Sequence, residues 1–241
     1  MLNLRIPLLF IAALLISGFS FAQIDLSNFE FFDSEEIIEC KLTSDFKFLR
    51  KEKFNTAYQP AEFTFYFASG DSVTTPVRIK ARGIFRRKHC SFAPIKIKFS
   101  KEEFAESSIA EYNSLKLVTH CRDQSAYTDQ LIEEYIIYQM YNLITPYSLR
   151  ARMVKINYVD TGSKKSPGWN YGFFIEDIDQ VAARNNAVEI KTKNVHPERL
   201  NRYNATMVPV FQYMIGNTDW SVPGMHNIKL LKDLDETISA V

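Results

Sequence analysis

No Gly/Ser linker, low-complexity tract or internal repeat interrupts this 241-residue sequence, so the chain reads as one continuous unit. Cysteine is sparse, with three residues and no CxxC pair, which removes the usual spacing of a structural zinc site. No G-x-S-x-G element is present either, leaving a hydrolase built on His120, Asp219 and His226 without a supporting motif. Acidic residues are missing from one place in particular. Between Ser72 and Lys101 there are nine Lys or Arg and no Asp or Glu.

What is present begins with LNLRIPLLFIAALLISGFSFA, residues 2 to 22, which has one early Arg, an apolar run and a small-residue exit before Gln23. This is the anatomy of a cleaved secretory signal. A single-pass anchor is the rival reading, but the apolar core from Leu8 to Ile16 is short against the roughly 20 residues a bilayer needs. Cleavage after Ala22 leaves 28 basic and 28 acidic side chains, a balance that points to no nucleic-acid partner. The expected location is periplasmic or secreted. In that oxidising setting Cys90 and Cys121, both at strand ends beside polar loops, are expected to pair, closing a loop worth roughly 3 kcal/mol. A zinc site using the adjacent His89 and His120 is the alternative. Cys40, among apolar neighbours in IIECKL, reads as a buried free thiol.

With 46% apolar residues over the whole sequence, the chain can build a core without staples. Its first half reads as strands: Ile37 to Leu42, Ala61 to Phe67, Val77 to Arg82, Ile95 to Phe99 and Ser114 to Thr119. Alternation in VRIKAR and IKIKF turns Val77, Ile79, Ala81, Ile95, Ile97 and Phe99 inward, and Arg78, Lys80, Arg82, Lys96 and Lys98 outward. A helix is expected from Ser125 to Ile144, stopped by Pro146. Strands from Met153 to Val159 and Tyr171 to Ile175 follow, then a short helix from Asp177 to about Arg184, a polar loop from Asn185 to Asn204, a helix from Thr206 to Ile215 and a strand from Ile228 to Leu231. This order predicts an α+β protein of two lobes with a ligand cleft between them.

Two constellations carry candidate chemistry. The basic hairpin, with Gly83 at its turn, suits phosphate oxygens, because Arg binds them bidentately and Lys as a point charge. A solvated sheet face is the plainer reading. In GNTDWSVPGMHN, Asp219 could serve as a base and Asn227 could offer an oxygen to a divalent cation. An Asx turn and a hydrogen-bonded corner would explain the same residues without chemistry. Together, a basic face and this loop across a cleft supply the parts for phosphoryl transfer.

The segments GIFRRKHCSFAPIKIKF, LKLVTHC, EYIIYQMYNLITP, YGFFIEDID and MIGNTDW followed by His226-Asn227 resemble, in this order, the secreted kinase-like proteins of the spore-coat protein H (CotH)-like family, and a bacterial branch of it most closely. The resemblance runs from Ile37 to Leu231, and its last motif is the most specific. It implies an atypical protein-kinase fold, with a strand-rich N-lobe over about 35–160 and a mixed helical C-lobe over about 165–241. It also implies phosphate transfer from ATP, with Mg or Mn, to a protein, cell-envelope or other hydroxyl substrate by a monomer. By that resemblance Asp219 is the catalytic aspartate, Asn227 the metal-binding amide, Arg82 a phosphate contact and Glu176 the acid following the strand between the lobes. Lys96 and Lys98 both qualify as the nucleotide-binding lysine, with Glu134 as its partner or as a solvent-facing acid. Glu176 could equally be a helix N-terminal acid favoured by the dipole. The family continues past this point to an Asp-x-Asp that holds the metal, whereas Asp233 and Asp235 read as turn residues. The sequence is therefore expected to be C-terminally incomplete, and a catalytically inert binding relative is the alternative function.

Overall fold

In the computed structural model, residues 31–32, 34–100 and 113–241 are described. The expected signal at 1–22 lies outside them. The alternating segments form strands as read, five with one or both ends displaced outward and β4 and β5 one residue shorter: β1 Ile38–Ser44, β2 Gln59–Tyr66, β3 Ser72–Ala81, β4 Ile95–Lys98, β5 Ser114–Val118, β6 Ala151–Asp160 and β7 Gly168–Ile175. These seven close into a barrel in the order β1-β2-β3-β4-β5-β7-β6. All neighbours are antiparallel except β1 and β6, whose parallel register from Ile38 opposite Val154 to Ser44 opposite Asp160 completes the closure. Closure removes both sheet edges and turns one face of every strand inward.

The expected two-lobed kinase-like fold is thereby corrected. The supposed lobe boundary near 160–165 falls inside the β6–β7 hairpin, whose strands pair from Ala151 opposite Ile175 to Tyr158 opposite Gly168. Period-two alternation had identified the inward faces correctly, since Ile79, Ile95 and Ile97 are fully buried. It carries no information on whether the last strand returns to the first, because that pairing joins residues more than a hundred positions apart.

The barrel is filled largely by rings. Phe63 meets Phe65, Phe99 and Phe174 edge-to-face, at centroid distances of 4.5, 6.0 and 6.2 Å. Each such side chain contributes about 1.5–3 kcal/mol by leaving water. Toward one end Phe46, Phe92 and Tyr158 pack together, with Cys40 buried and its thiol pKa pushed up by burial, as a free thiol in an apolar setting requires.

Among the described residues five helices decorate this frame: α1 Phe46–Lys51, α2 Ile84–His89, α3 Ser125–Ile144, α4 Ile178–Arg184 and α5 Arg202–Met214. The long helix α3 has the expected bounds, ends before Pro146, and lies outside the barrel, where Leu131, Ile132, Tyr135 and Tyr138 pack on Val118, Met153, Phe173 and Ile175. The region expected as a polar loop instead holds β8 Ala187–Ile190 and a single 3-10 turn at Pro197–Arg199. With β9 Leu230–Asp233 and β10 Ile238–Ala240, β8 forms a small sheet in the order β10-β9-β8. Asp233 closes the β9–β10 turn by accepting from the backbone of Asp235 and Thr237, so this pair acts as turn residues. Among the described residues no helix is long and apolar enough to cross a membrane.

One buried group gives the fold a pH dependence. The His120 ring is stacked on Phe92, and among the described residues its Nδ1 has no hydrogen-bond partner. Its Nε2 lies 3.4 Å from Asp123 Oδ1. Burial holds the imidazole below its ordinary value of 6.5, with Asp123 working the other way. The unfolded chain therefore takes up a proton first as pH falls below 6.5, and stability should decline from there downward. Urea midpoints measured across that range should drop toward acid, and His120→Phe should flatten the drop.

Candidate functional site

At the end of β3 the backbone must leave the barrel sharply, and Gly83 does so with φ +82°, a conformation costly for any residue with a side chain. It caps α2, whose sequence IFRRKH is basic and whose residues are all at least partly exposed. The C-cap of α2 is Cys90, and its sulfur lies 2.12 Å from that of Cys121, just beyond β5. At bonding distance the two sulfurs leave no thiolates for the alternative zinc site. Lys53 Nζ adds a bond to the Cys90 carbonyl at 3.0 Å.

A second loop faces this one. It follows α5, where the Asn217 side chain accepts from the Asp219 backbone N–H at 2.9 Å, the Asx turn anticipated from Asn-x-Asp. Reciprocal bonds between Ser221 and His226, both 2.9 Å, fold the segment back on itself. Met225 and Asn227 take positive φ to make this return. As a result three functional side chains converge. His226 Nε2 lies 2.9 Å from Asp219 Oδ1, while Asn227 Nδ2 donates to Asp219 Oδ2 at 3.1 Å and to the Asp219 carbonyl at 2.6 Å.

Between the two loops is a cavity of about 770 Å³. Arg82, Arg86 and Lys88 lie on one side of its lining, Glu134 and Tyr138 come from α3, and Asp219, His226 and Asn227 come from the returning loop. Arg82 decides its electrostatics. The guanidinium is half-buried, and among the described residues no hydrogen bond or ion pair satisfies it. Burial lowers its pKa, opposed by Tyr138, Asp177 and Glu134 and assisted by Arg86. Tyr138 is driven up to about 12, mainly by burial and then by Glu134, so its phenol stays protonated and able to donate.

The structure thus brings Arg82, Glu134, Asp219 and Asn227 to one cavity and leaves Lys96, Lys98 and Glu176 outside its lining. Glu134 pairs with Arg86, linking α3 to α2, and not with a lysine. Lys98 sits opposite Arg78 in the strand register, whereas the Arg82 backbone N–H donates to the Pro94 carbonyl. Four residues of strand place it about 13 Å further along β4 from that anchor. Lys96 is nearer, acting on the Lys116–Asp177 ion pair, which is 3.1 Å long. Burial would raise the Asp177 pKa, but Lys116 and its neighbours hold it below the usual range.

Glu176 is buried and its carboxylate is fully engaged. It accepts from the Arg150 backbone at 2.9 Å and from Arg184 Nε and Nη2 at 3.1 and 3.2 Å. Arg184 also binds the carbonyls of Pro146 and Ser148. Glu176 therefore ties β7 and α4 to the segment after α3, a positioning task reached by neither sequence reading.

Arg86, Lys88 and Tyr138 were not singled out from the sequence, whereas His226 beside Asp219 had been considered only as part of a hydrolase. A faint signal existed for Tyr138, which lies four residues after Glu134 on a helix face. No family model, curated protein or solved structure matches the chain.

Among the described residues no group of three or more His, Cys, Asp or Glu is arranged for a metal. The Asn227 amide, with its nitrogen turned to Asp219, keeps its oxygen available, and the Asp219 carboxylate retains lone pairs. Two oxygen donors match the small protein share of a Mg site that substrate phosphates and water complete.

Proposed function

We propose that this cleft binds a phosphate-bearing nucleotide, ATP with Mg or Mn, and transfers phosphate to a hydroxyl on a protein or cell-envelope substrate outside the cytoplasm. The observation that carries the reading is the half-buried Arg82, whose guanidinium has no partner among the described residues, lining one cavity with Asp219 and Asn227. A desolvated cation without a partner gains most from an anion that enters the site, and phosphate oxygens accept its fork bidentately. The motif resemblance to CotH-like proteins supports the same chemistry, and the proposal makes no use of a kinase-like fold. The paired cysteines and the N-terminal leader pattern support a periplasmic or secreted setting.

Arg82 and Arg86 would orient the phosphates, with the Tyr138 hydroxyl as a neutral donor. Asn227 Oδ1 and Asp219 would hold the divalent cation, which when bound neutralises charge developing on the phosphate oxygens. When His226 Nε2 carries the proton shared with Asp219, its Nδ1 is left with a lone pair. The acceptor hydroxyl can then pass its proton to His226 Nδ1 as its oxygen bonds to the γ-phosphorus and the bond from that phosphorus to the bridging oxygen breaks, ADP leaving with the electron pair. An inert binding module of the cell envelope is the second reading, favoured by the 77% exposure of the Asp219 side chain, which leaves it wetter than most bases.

Melting curves with and without Mg-ATP test the binding step. The protein should be stabilised by Mg-ATP, and Arg82→Ala should weaken apparent affinity by about tenfold to a hundredfold, the loss of one or two bonds to a charged group. Stabilisation without phosphate transfer to any acceptor would select the inert module. No stabilisation by ATP with either cation would overturn nucleotide binding and with it phosphate transfer.

A further inference from the structure

Beside the cavity mouth, three large apolar side chains stand in solvent. Ile84 is 78% exposed, Phe85 69% and Phe54 56%. Single exposed residues of this kind are ordinary, but these occupy one neighbourhood. Arg87 donates to the Phe54 carbonyl at 3.5 Å, and its guanidinium lies over the Phe54 ring at 5.9 Å. Along α2, Ile84, Arg87 and Lys88 follow i, i+3, i+4 spacing and share a face. Lys53 stands next to Phe54, with its amine 5.8 Å from that ring.

The charge around these side chains has one sign. Helix α2 contains no acid, and the sequence from Ser72 to Lys101 has none. Arg86 is neutralised by Glu134, but Arg87, Lys88, Lys51 and Lys53 have no acidic partner among the described residues. Glu52 is the lone acid in the adjoining turn. Apolar tips of high exposure set among unpaired Lys and Arg are the arrangement that enters the headgroup region of an anionic bilayer, the tips reaching the acyl boundary and the cations meeting lipid phosphates.

We propose that α2 and the Phe54 turn form a docking face for an anionic lipid surface. The face borders the cavity through Ile84, Phe85 and Lys88, so a docked protein would present its cavity mouth to the membrane plane. This inference does not depend on phosphate transfer.

Flotation of the full chain with vesicles tests it. Vesicles of phosphatidylcholine mixed with phosphatidylglycerol should carry the protein, those of phosphatidylcholine alone should not, and added salt should weaken the association. The Phe54→Ser, Ile84→Ser double variant should lose at least tenfold in vesicle binding with an unchanged melting curve, since both side chains already face water. Arg87→Gln should weaken it separately. Soluble glycerophosphate in excess should fail to compete, separating a lipid surface from capture of free phosphate by the cavity. Equal binding to both vesicle types, full binding by the double variant, or complete competition by glycerophosphate would overturn the proposal. So would self-association, read by light scattering, that is lost in the double variant while vesicle binding is absent.

Discussion

Asp219→Asn is expected to reduce phosphate transfer by about 10²- to 10⁴-fold, the range over which a positioned acid–base group acts, while leaving the ATP-induced rise in melting temperature largely in place. The substitution preserves shape and one oxygen, so the Asn227 amide can still donate to it. What disappears is the carboxylate that His226 Nε2 meets at 2.9 Å. Without that charge an imidazolium formed at His226 is no longer stabilised, and one of two oxygen donors to the cation becomes a neutral amide. Binding through Arg82 and Arg86, which come from the β3 end and α2 and not from the Asp219 loop, is independent of both effects. The measurement is single-turnover phosphate release or transfer at saturating Mg-ATP, paired with the thermal shift. If transfer persists at the parent rate in the variant, Asp219 is a loop residue held in an Asx turn and nothing more.

Opening the Cys90–Cys121 link should lower stability by about 4 kcal/mol, the chain-entropy value for a closed loop of this size. The two cysteines are 31 residues apart and their Cα atoms 4.6 Å apart. That loop contains β4 and β5 and returns the C-terminal end of α2 to the barrel. Urea denaturation of the Cys90→Ser, Cys121→Ser variant, or of the parent chain under dithiothreitol, should move the midpoint down accordingly. The nucleotide shift should weaken as well, because Arg86 and Lys88 are carried on the freed helix. An unchanged midpoint under reductant, with loss of the bond confirmed by thiol titration, would show that packing around Phe92 and Thr119 alone holds the segment. The Thr119 hydroxyl already donates to the Phe92 carbonyl at 2.9 Å, so some residual order is expected.

The parts of the site differ in how legible they were. Asp219 and Asn227 stood out because an acid and an amide in a short loop between a helix and a strand exceed what a connection needs. Arg82 stood out through a strand alternation that ends on a glycine. Lys96 and Lys98 have the same alternation and the same chemistry, yet the direction in which β4 runs takes Lys98 away from the cavity, and no local pattern encodes that. Glu176 was marked as an acid at the end of a strand, but its use as the buried partner of Arg184 rests on a helix eight residues onward folding back over it. Tyr138 and Arg86 have roles that exist only where α2 and α3 meet.

Sequence by itself determined the inward faces of the strands, the long helix with its proline stop, the cysteine pair and the Asx turn at Asn217, because each depends on spacing within a few residues and on the period of the backbone. Tertiary structure alone decided that the strands close into a barrel, that β8 joins the C-terminal strands, and which cations face Asp219. Those outcomes depend on contacts between residues distant along the chain. There the balance is set by closing an edge or filling a shared interior, and alternation reads the same whether or not the sheet closes.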